Sequence, residues 1–145
     1  MSLYAQDTKV PIAQSRAEIE RLLDRHKAKQ YGTAVDYDIR QARVQFRLHD
    51  RIVRFVIALP DPTKYKGERL AKAERQKWRA LLLVIKAKLE AVENLISTFE
   101  EEFLAHIVLP NDRTVADYVI PQVTAMYKSG AMLALPEQTE TKGTK

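Results

Sequence analysis

WRALLLVIKAKLEAVENLISTFEEEFLAH, residues 78–106, is the stretch that decides the fold. Its apolar residues recur at alternating steps of four and three, which places them on one side of a helix. This seam consists of Trp78, Leu82, Ile85, Leu89, Val92, Ile96, Phe99 and Phe103, with His106 in the next slot. Between residues 81 and 91 the other sides are apolar as well, so we expect that part of the helix to be buried nearly all round.

The sequence leaves two features of this long helix open: where it begins and ends, and whether its apolar seam packs within the chain or against a second copy. The helix begins between Gly67 and Leu70. It either runs unbroken to Val108 or kinks or breaks near residue 97, where Ser97 and Thr98 both begin helix-start patterns, and the sequence leaves both alternatives open. The seam has the spacing of a coiled-coil dimer. Its stripe is wider than a dimer seam, which favours an intramolecular core and leaves open a homodimer through the end at residues 96–103.

Residues 35–59 change from helical spacing to strict alternation of apolar and polar residues. Such alternation, repeated three times, predicts an antiparallel meander with one buried face. The apolar set is Val35, Tyr37, Ile39, Ala42, Val44, Phe46, Leu48, Val53, Phe55, Ile57 and Leu59. We expect tight connections at Arg40-Gln41 and His49-Asp50.

Shorter elements flank this region. Leu3–Val10 is predicted as an edge strand or an extended arm, followed by a helix over residues 16–30 with a capping box formed by Ser15 and Glu18. A last helix should start at Thr114, with Asp117 completing its cap, bend at Pro121 and end at Gly130. Residues 136–145 are polar and predicted to be disordered.

The predicted fold is therefore one α+β domain, residues 1–135. It has an antiparallel three- to four-stranded meander, covered on one face by a long central helix and two shorter helices, and the last helix closes the core. The chain has no cysteine, no signal-like N-terminus and no apolar run of membrane-spanning length. These features favour a cytoplasmic protein with no membrane partner.

No enzyme site is recognisable. Only four glycines are present, none in a phosphate-binding spacing, and no serine lies in a nucleophile-elbow context. His26 and His106 fall on apolar stripes and are expected in the core. Glu102 and His106 lie one helical turn apart and could both contact a metal ion. Without a third ligand the pair is weak evidence for a metal site, so a metal-dependent enzyme stays only a remote alternative. We predict no catalytic residue, no metal ligand and no cofactor.

Charge is segregated along the chain, and this is the strongest functional signal. Residues 40–54 carry five arginines against one aspartate, and residues 64–88 carry nine lysines or arginines against two glutamates. A basic sheet face and a basic half-helix would suit the phosphates of a nucleic acid or a nucleoprotein complex, or an acidic protein. The predicted contact residues are Arg40, Arg43, Arg47, Arg51, Arg54, Lys72, Arg79 and Lys86.

Two other interpretations of the charges stay open. Residues 89–112 carry five glutamates and one aspartate with no lysine or arginine, so the end of the long helix could imitate nucleic acid towards a protein partner. This alternative predicts an inhibitor or adaptor, with a partner surface at Glu90, Glu93, Glu100, Glu101 and Glu102. The arginine face could also be neutralised internally, with Asp36 and Asp38 as outward-facing partners.

Three runs of this sequence resemble a group of small phage- and prophage-encoded proteins of uncharacterised function. They are residues 78–115 (WRALLLVIKAKLEAVENLISTFEEEFLAHIVLPNDRTV), 15–23 (SRAEIERLL) and 120–130 (IPQVTAMYKSG), and the similarity extends over about residues 8–135. The resemblance implies a mobile-element protein of the bacterial cytoplasm that assists phage DNA metabolism or, as an inhibitor or adaptor of anti-defence type, binds a host protein and blocks host defence. It transfers no catalytic residue.

Overall fold

The computed structural model describes residues 9–132, which form one three-stranded antiparallel sheet, four α-helices and a short 3-10 turn. This confirms the predicted α+β fold class. The predicted tail and most of the predicted N-terminal arm lie outside the described residues. In chain order the elements are α1 (Ile12–Arg25), β1 (Gln30–Asp36), β2 (Gln41–Leu48), β3 (Arg51–Ala58), α2 (Glu68–Glu93), α3 (Phe99–Phe103), the 3-10 turn (Leu104–His106) and α4 (Val115–Ser129).

The core lies between one face of the sheet and helices α1, α2 and α3. The strand order is β1–β2–β3, and the register sets Phe46 opposite Val53 and Val44 opposite Phe55. Phe103 of α3 meets the rings of Phe46 and Phe55 edge-on. The seam of α2 is buried in this core, which confirms intramolecular packing; its buried members are Trp78, Leu82, Ile85 and Leu89.

The long helix breaks, so an unbroken helix to Val108 is wrong. Helix α2 ends at Glu93, where the N–H of Ile96 donates to Ala91 O (2.9 Å) and that of Leu95 donates to Val92 O (3.1 Å). This is a Schellman motif with Leu95 in the left-handed conformation, φ 60°. A capping box formed by Thr98 and Glu101 then starts α3. The helix-start pattern at Thr98 is thereby confirmed.

Helix α1 begins and ends earlier than predicted, at Ile12 and Arg25 instead of 16 and 30. Pro11 precedes its first turn, because the fixed φ of proline suits that position and its missing N–H needs no partner there. The predicted cap at Ser15 is wrong, since Ser15 lies inside the helix, fully buried. The helix ends at a second Schellman motif, with Lys27 at φ 63°.

The first strand is also shifted. It covers Gln30–Asp36, and residues 37–40 form the turn to β2, so Tyr37 and Ile39 are 61% and 62% exposed instead of buried. The carboxylate of Asp36 accepts hydrogen bonds from the N–H groups of Asp38 (2.9 Å) and Ile39 (3.2 Å). Asp36 therefore shapes this turn, and its predicted role as a counter-charge for strand arginines is wrong. The tight turn at His49-Asp50 is confirmed.

Helix α4 has the predicted ends but not the predicted packing. A capping box of Thr114 and Asp117 starts it, and Gly130 ends it at φ 69°. None of its residues is buried, and only Val115 packs against the core. The expectation that it closes the core is wrong. No helix within residues 9–132 is long and apolar enough to cross a membrane.

Candidate nucleic-acid interface

The outer face of the sheet is the side that no helix covers, and it holds three of the predicted arginines. Strand pairing places Ala34 opposite Arg43, Gln45 opposite Arg54, and Gln30 opposite Arg47. Residues directly opposite each other in an antiparallel pair share a face. Arg43, Gln45, Arg47 and Arg54 therefore lie together, as the alternation predicted, and away from helices α1 and α2.

Arg54 already has its counter-charge within the chain. Its guanidinium donates to Gln45 Oε1 (2.9 Å), to Asp112 O (2.9 Å) and to Asp112 Oδ1 (2.6 Å). The hydrogen bond to Asp112 Oδ1 and the positive charge of Arg54, with a smaller contribution from Arg43, hold the pKa of Asp112 below its usual value. Arg54 thus ties the 109–113 loop to the sheet.

Two further arginines of the predicted set are not on the outer face. Arg40 lies in the β1–β2 turn and reaches Glu74 of α2 (2.9 Å) and Pro60 O (2.8 Å). Arg51 is opposite the core residue Leu48 and pairs with Glu100 at 2.8 Å. Their assignment to a common external surface is wrong, because both are bound to acidic residues of neighbouring helices.

Arg43 and Arg47 remain, and neither forms an ion pair within residues 9–132. Arg43 is exposed, and the Nε of half-buried Arg47 has no hydrogen-bond acceptor in the described part of the chain. A buried donor without an acceptor is costly and uncommon. The Nε atoms of Arg40 and Arg75, which do form ion pairs, lack an acceptor as well, so this feature does not distinguish Arg47. What distinguishes Arg43 and Arg47 is the missing counter-charge, which an anionic ligand would supply.

A shallow groove of about 360 Å³ runs beside these two arginines. Its lining includes Gly32 and Ala34 of β1, with Arg43, Gln45 and Arg47 of β2. A Cβ at Gly32 would meet nothing within 4 Å. Small residues on the edge strand therefore leave room beside the guanidinium groups, and a chain lying in the groove would contact both of them.

The predicted basic half-helix does not continue this surface. Helix α2 packs on the opposite face of the sheet, so Lys72, Arg79 and Lys86 belong to a different layer from Arg43 and Arg47. Arg79 pairs with Glu18 of α1 at 2.8 Å. The expectation of one continuous basic surface is wrong.

Arg79 and Lys86 instead line a second groove, of about 250 Å³, between α1 and α2. Arg21 and Arg25 line it too, and the sequence analysis missed both. Their spacing of four on a predicted helix was the available signal. This signal was overlooked because the charges of residues 1–39 sum to zero, so the segment did not stand out as basic.

The acidic residues of the alternative surface are mostly engaged inside the chain. Glu100 pairs with Arg51, and Glu101 completes the cap of α3. Glu102 accepts from Ser97 Oγ (2.7 Å) and contacts Lys88 Nζ (3.5 Å). The remaining two predicted members, Glu90 and Glu93, are exposed near the end of α2.

His106 does not face Glu102. Its ring stacks on Phe55 at 4.1 Å between centroids. Burial and the nearby positive charge of Lys88 lower the pKa of His106, and a hydrogen bond to the backbone of Arg54 opposes them. Over residues 9–132, no cluster of three or more histidine, aspartate or glutamate side chains is arranged to hold a metal ion.

Comparisons of the chain with protein-family models, with curated proteins and with solved structures give no match. Functional inference therefore depends on the geometry of the chain itself.

Proposed function

We propose that this protein is a non-enzymatic accessory protein that binds nucleic acid, or a nucleoprotein complex, through the outer face of its sheet. The observation that carries this function is the pair Arg43 and Arg47, which form no ion pair in the described chain, whereas Arg40, Arg51 and Arg54 do. Arginine binds phosphate with two parallel hydrogen bonds, so phosphate satisfies both its charge and its donors.

The spacing of the two arginines suits a polymer. They are four residues apart on one strand, which separates their Cα atoms by about 13 Å. Phosphates of one strand of a duplex recur every ~3.4 Å along its axis, so the two guanidinium groups can contact phosphates of the same strand. The groove beside them gives the sugar-phosphate chain a path across β1 and β2.

Backbone contact fits this face better than base stacking does. The outward positions of β2 and β3 are Gln41, Arg43, Gln45, Arg47, Ile52, Arg54, Val56 and Ala58, and none is aromatic. Proteins that stack unpaired bases present aromatic rings on the binding surface. We therefore expect binding with little sequence preference and with strong salt dependence.

The test is fluorescence anisotropy of the full chain with labelled single- and double-stranded DNA and RNA, between about 50 and 200 mM salt. Arg43→Glu/Arg47→Glu should weaken binding and reduce the slope of log affinity against log salt by about two. Arg21→Glu/Arg25→Glu is the matched control, because it makes the same charge change at two exposed positions of α1 that are also four residues apart in sequence.

Retained binding in the control would support the sheet face. Equal losses in both variants would mean that general charge, or the groove between α1 and α2, does the binding. Absence of binding at low salt would overturn direct nucleic-acid contact. The resemblance to phage-encoded proteins stays a prediction, and the binding mode does not depend on it.

Protein binding of anti-defence type is the second candidate, and one observation favours it. Leu95 and Ile96 are 90% and 79% exposed just after Glu90 and Glu93, which makes an apolar tip with an acidic border. The test is capture from nuclease-treated host lysate, with Leu95→Ser/Ile96→Ser as the variant. A partner that survives nuclease and is lost with the variant would favour an inhibitor or adaptor.

A further inference from the structure

Helix α4 carries an apolar surface that the rest of the described chain leaves uncovered. Ile120 is 61% exposed and Tyr127 87% exposed, and Tyr118, Val119 and Val123 are also exposed. Only Asp117 and Lys128 are charged among its fifteen residues. An apolar patch of this kind marks an interaction site on a folded protein.

The apolar residues of α4 include one regular row. It consists of half-buried Ala116 and exposed Ile120, Val123 and Tyr127, which follow each other at steps of four, three and four and therefore lie on one side of α4. Besides Ala116, the half-buried residues of α4 are Val115, Gln122 and Met126, which lie on a different side. The exposed part of the row, Ile120, Val123 and Tyr127, is therefore turned away from the side by which α4 rests on its own domain.

The spacing of this row is the same in both chain directions. A second α4 running antiparallel would bring Ala116 against Tyr127 of the partner subunit and Ile120 against Val123 of the partner subunit. Each contact would occur twice about a two-fold axis, and large side chains would face small or medium ones. A self-complementary patch is what a two-fold dimer requires.

The two charges of α4 fit the same arrangement. Asp117 and Lys128 are eleven residues apart, close to three turns, so they lie on the same flank of the row. In an antiparallel pair, the same flank of each helix lies on the same side of the interface. Asp117 therefore comes near Lys128 of the partner subunit. In a parallel pair, opposite flanks would meet, and neither Asp117 nor Lys128 would have a charged partner on the other helix.

We propose that two copies of this chain associate through α4, with the helices antiparallel and centred between Pro121 and Gln122. The helix is about 22 Å long, so the interface is small and the dimer should form in a concentration-dependent way. The contact surface is separate from Arg43 and Arg47, and this inference does not depend on nucleic-acid binding.

Sedimentation of the full chain over a range of concentrations tests the interface. We expect a monomer–dimer equilibrium whose dissociation constant rises more than about tenfold in Ile120→Glu, because a buried unpaired charge is costly. Tyr118→Glu is the matched control, since Tyr118 is 54% exposed on the opposite side of the same helix and should leave the equilibrium unchanged. A monomer at all concentrations, or equal effects of both variants, would overturn the proposal.

Single cysteines test the orientation, because the natural chain has none. Ala116→Cys mixed with Tyr127→Cys should form a disulfide-linked heterodimer under mild oxidation. Tyr127→Cys alone should not cross-link, because antiparallel packing keeps its two copies about 16 Å apart along the helix. Efficient cross-linking of Tyr127→Cys alone, without the mixed product, would mean parallel helices and overturn the arrangement.

Discussion

Helices α2 and α4 both have apolar sequences, and the structure uses them in opposite ways. Helix α2 buries five residues between α1 and the sheet, whereas α4 buries none; the five are Trp78, Leu81, Leu82, Ile85 and Leu89. An apolar row therefore predicts that a helix has a partner without saying whether that partner is in the same chain. Apolar residues of α2 should hold the fold, and those of α4 should matter for association.

The largest expected effect compares one substitution in the two helices. Ile85→Ala removes a side chain with no solvent exposure and should lower the free energy of unfolding by about 2–5 kcal/mol. Ile120→Ala, in α4, should change it by less than about 0.5 kcal/mol. Urea unfolding at low micromolar concentration, followed by fluorescence of the single tryptophan, measures both. Similar losses in both variants would contradict the division of roles.

The sequence predicted the elements whose signals are local. Alternation gave β2 and β3, and the Thr98 and Thr114 caps gave the starts of α3 and α4, because each needs only neighbouring residues. The end of α1 was missed, and the end of α2 was placed only near residue 97 and as one of two alternatives, for one shared reason. Both end in Schellman motifs with Lys27 and Leu95 where glycine is usual, so the sequence contains no stop signal at either site.

The candidate interface was predictable only in part. Alternation on β2 placed Arg43 and Arg47 on one face, since side-chain direction repeats every two residues. Which arginines would be neutralised was not predictable, because the partners of Arg40, Arg51 and Arg54 are 34, 49 and 58 residues away in sequence. Such contacts depend on how helices and loops meet the sheet.

A medium effect on the free energy of unfolding is expected from a substitution at Leu95, in the motif that ends the packed helix α2. Leu95→Gly should raise the free energy of unfolding by about 0.5–1 kcal/mol, because glycine adopts the left-handed conformation without the clash that leucine suffers. Ile96→Gly is the control: it removes a similarly exposed side chain at a residue without positive φ and should be neutral or destabilising. Thermal and urea unfolding compare the two variants. A loss of stability in Leu95→Gly would show that this side chain has packing contacts.

The smallest effect on the free energy of unfolding is expected from His106, which lies in the 3-10 turn between the packed region and α4. Burial first, and then the charge of Lys88, lower the pKa of His106 in the folded state from its ordinary value of 6.5. Above that pH the residue is neutral in both states and contributes no pH dependence. Below pH 6.5 His106 becomes protonated in the unfolded chain but stays neutral in the folded chain, where its pKa is lower. The free energy of unfolding therefore falls with decreasing pH until the folded pKa is reached.

Replacing the ring isolates this contribution. Glu101, Glu102 and Asp112 have pKa values lowered from 4.5, 4.5 and 3.8, so their stabilising contributions are lost only at more acidic pH. Denaturant unfolding in the interval just below pH 6.5 should therefore show a shallower pH dependence in His106→Gln than in the natural chain. The difference between the proteins should be constant at alkaline pH. Parallel pH profiles throughout would mean that His106 is no more shielded from water in the folded chain than in the unfolded chain. The boundary between the packed region and α4 would then be open to water.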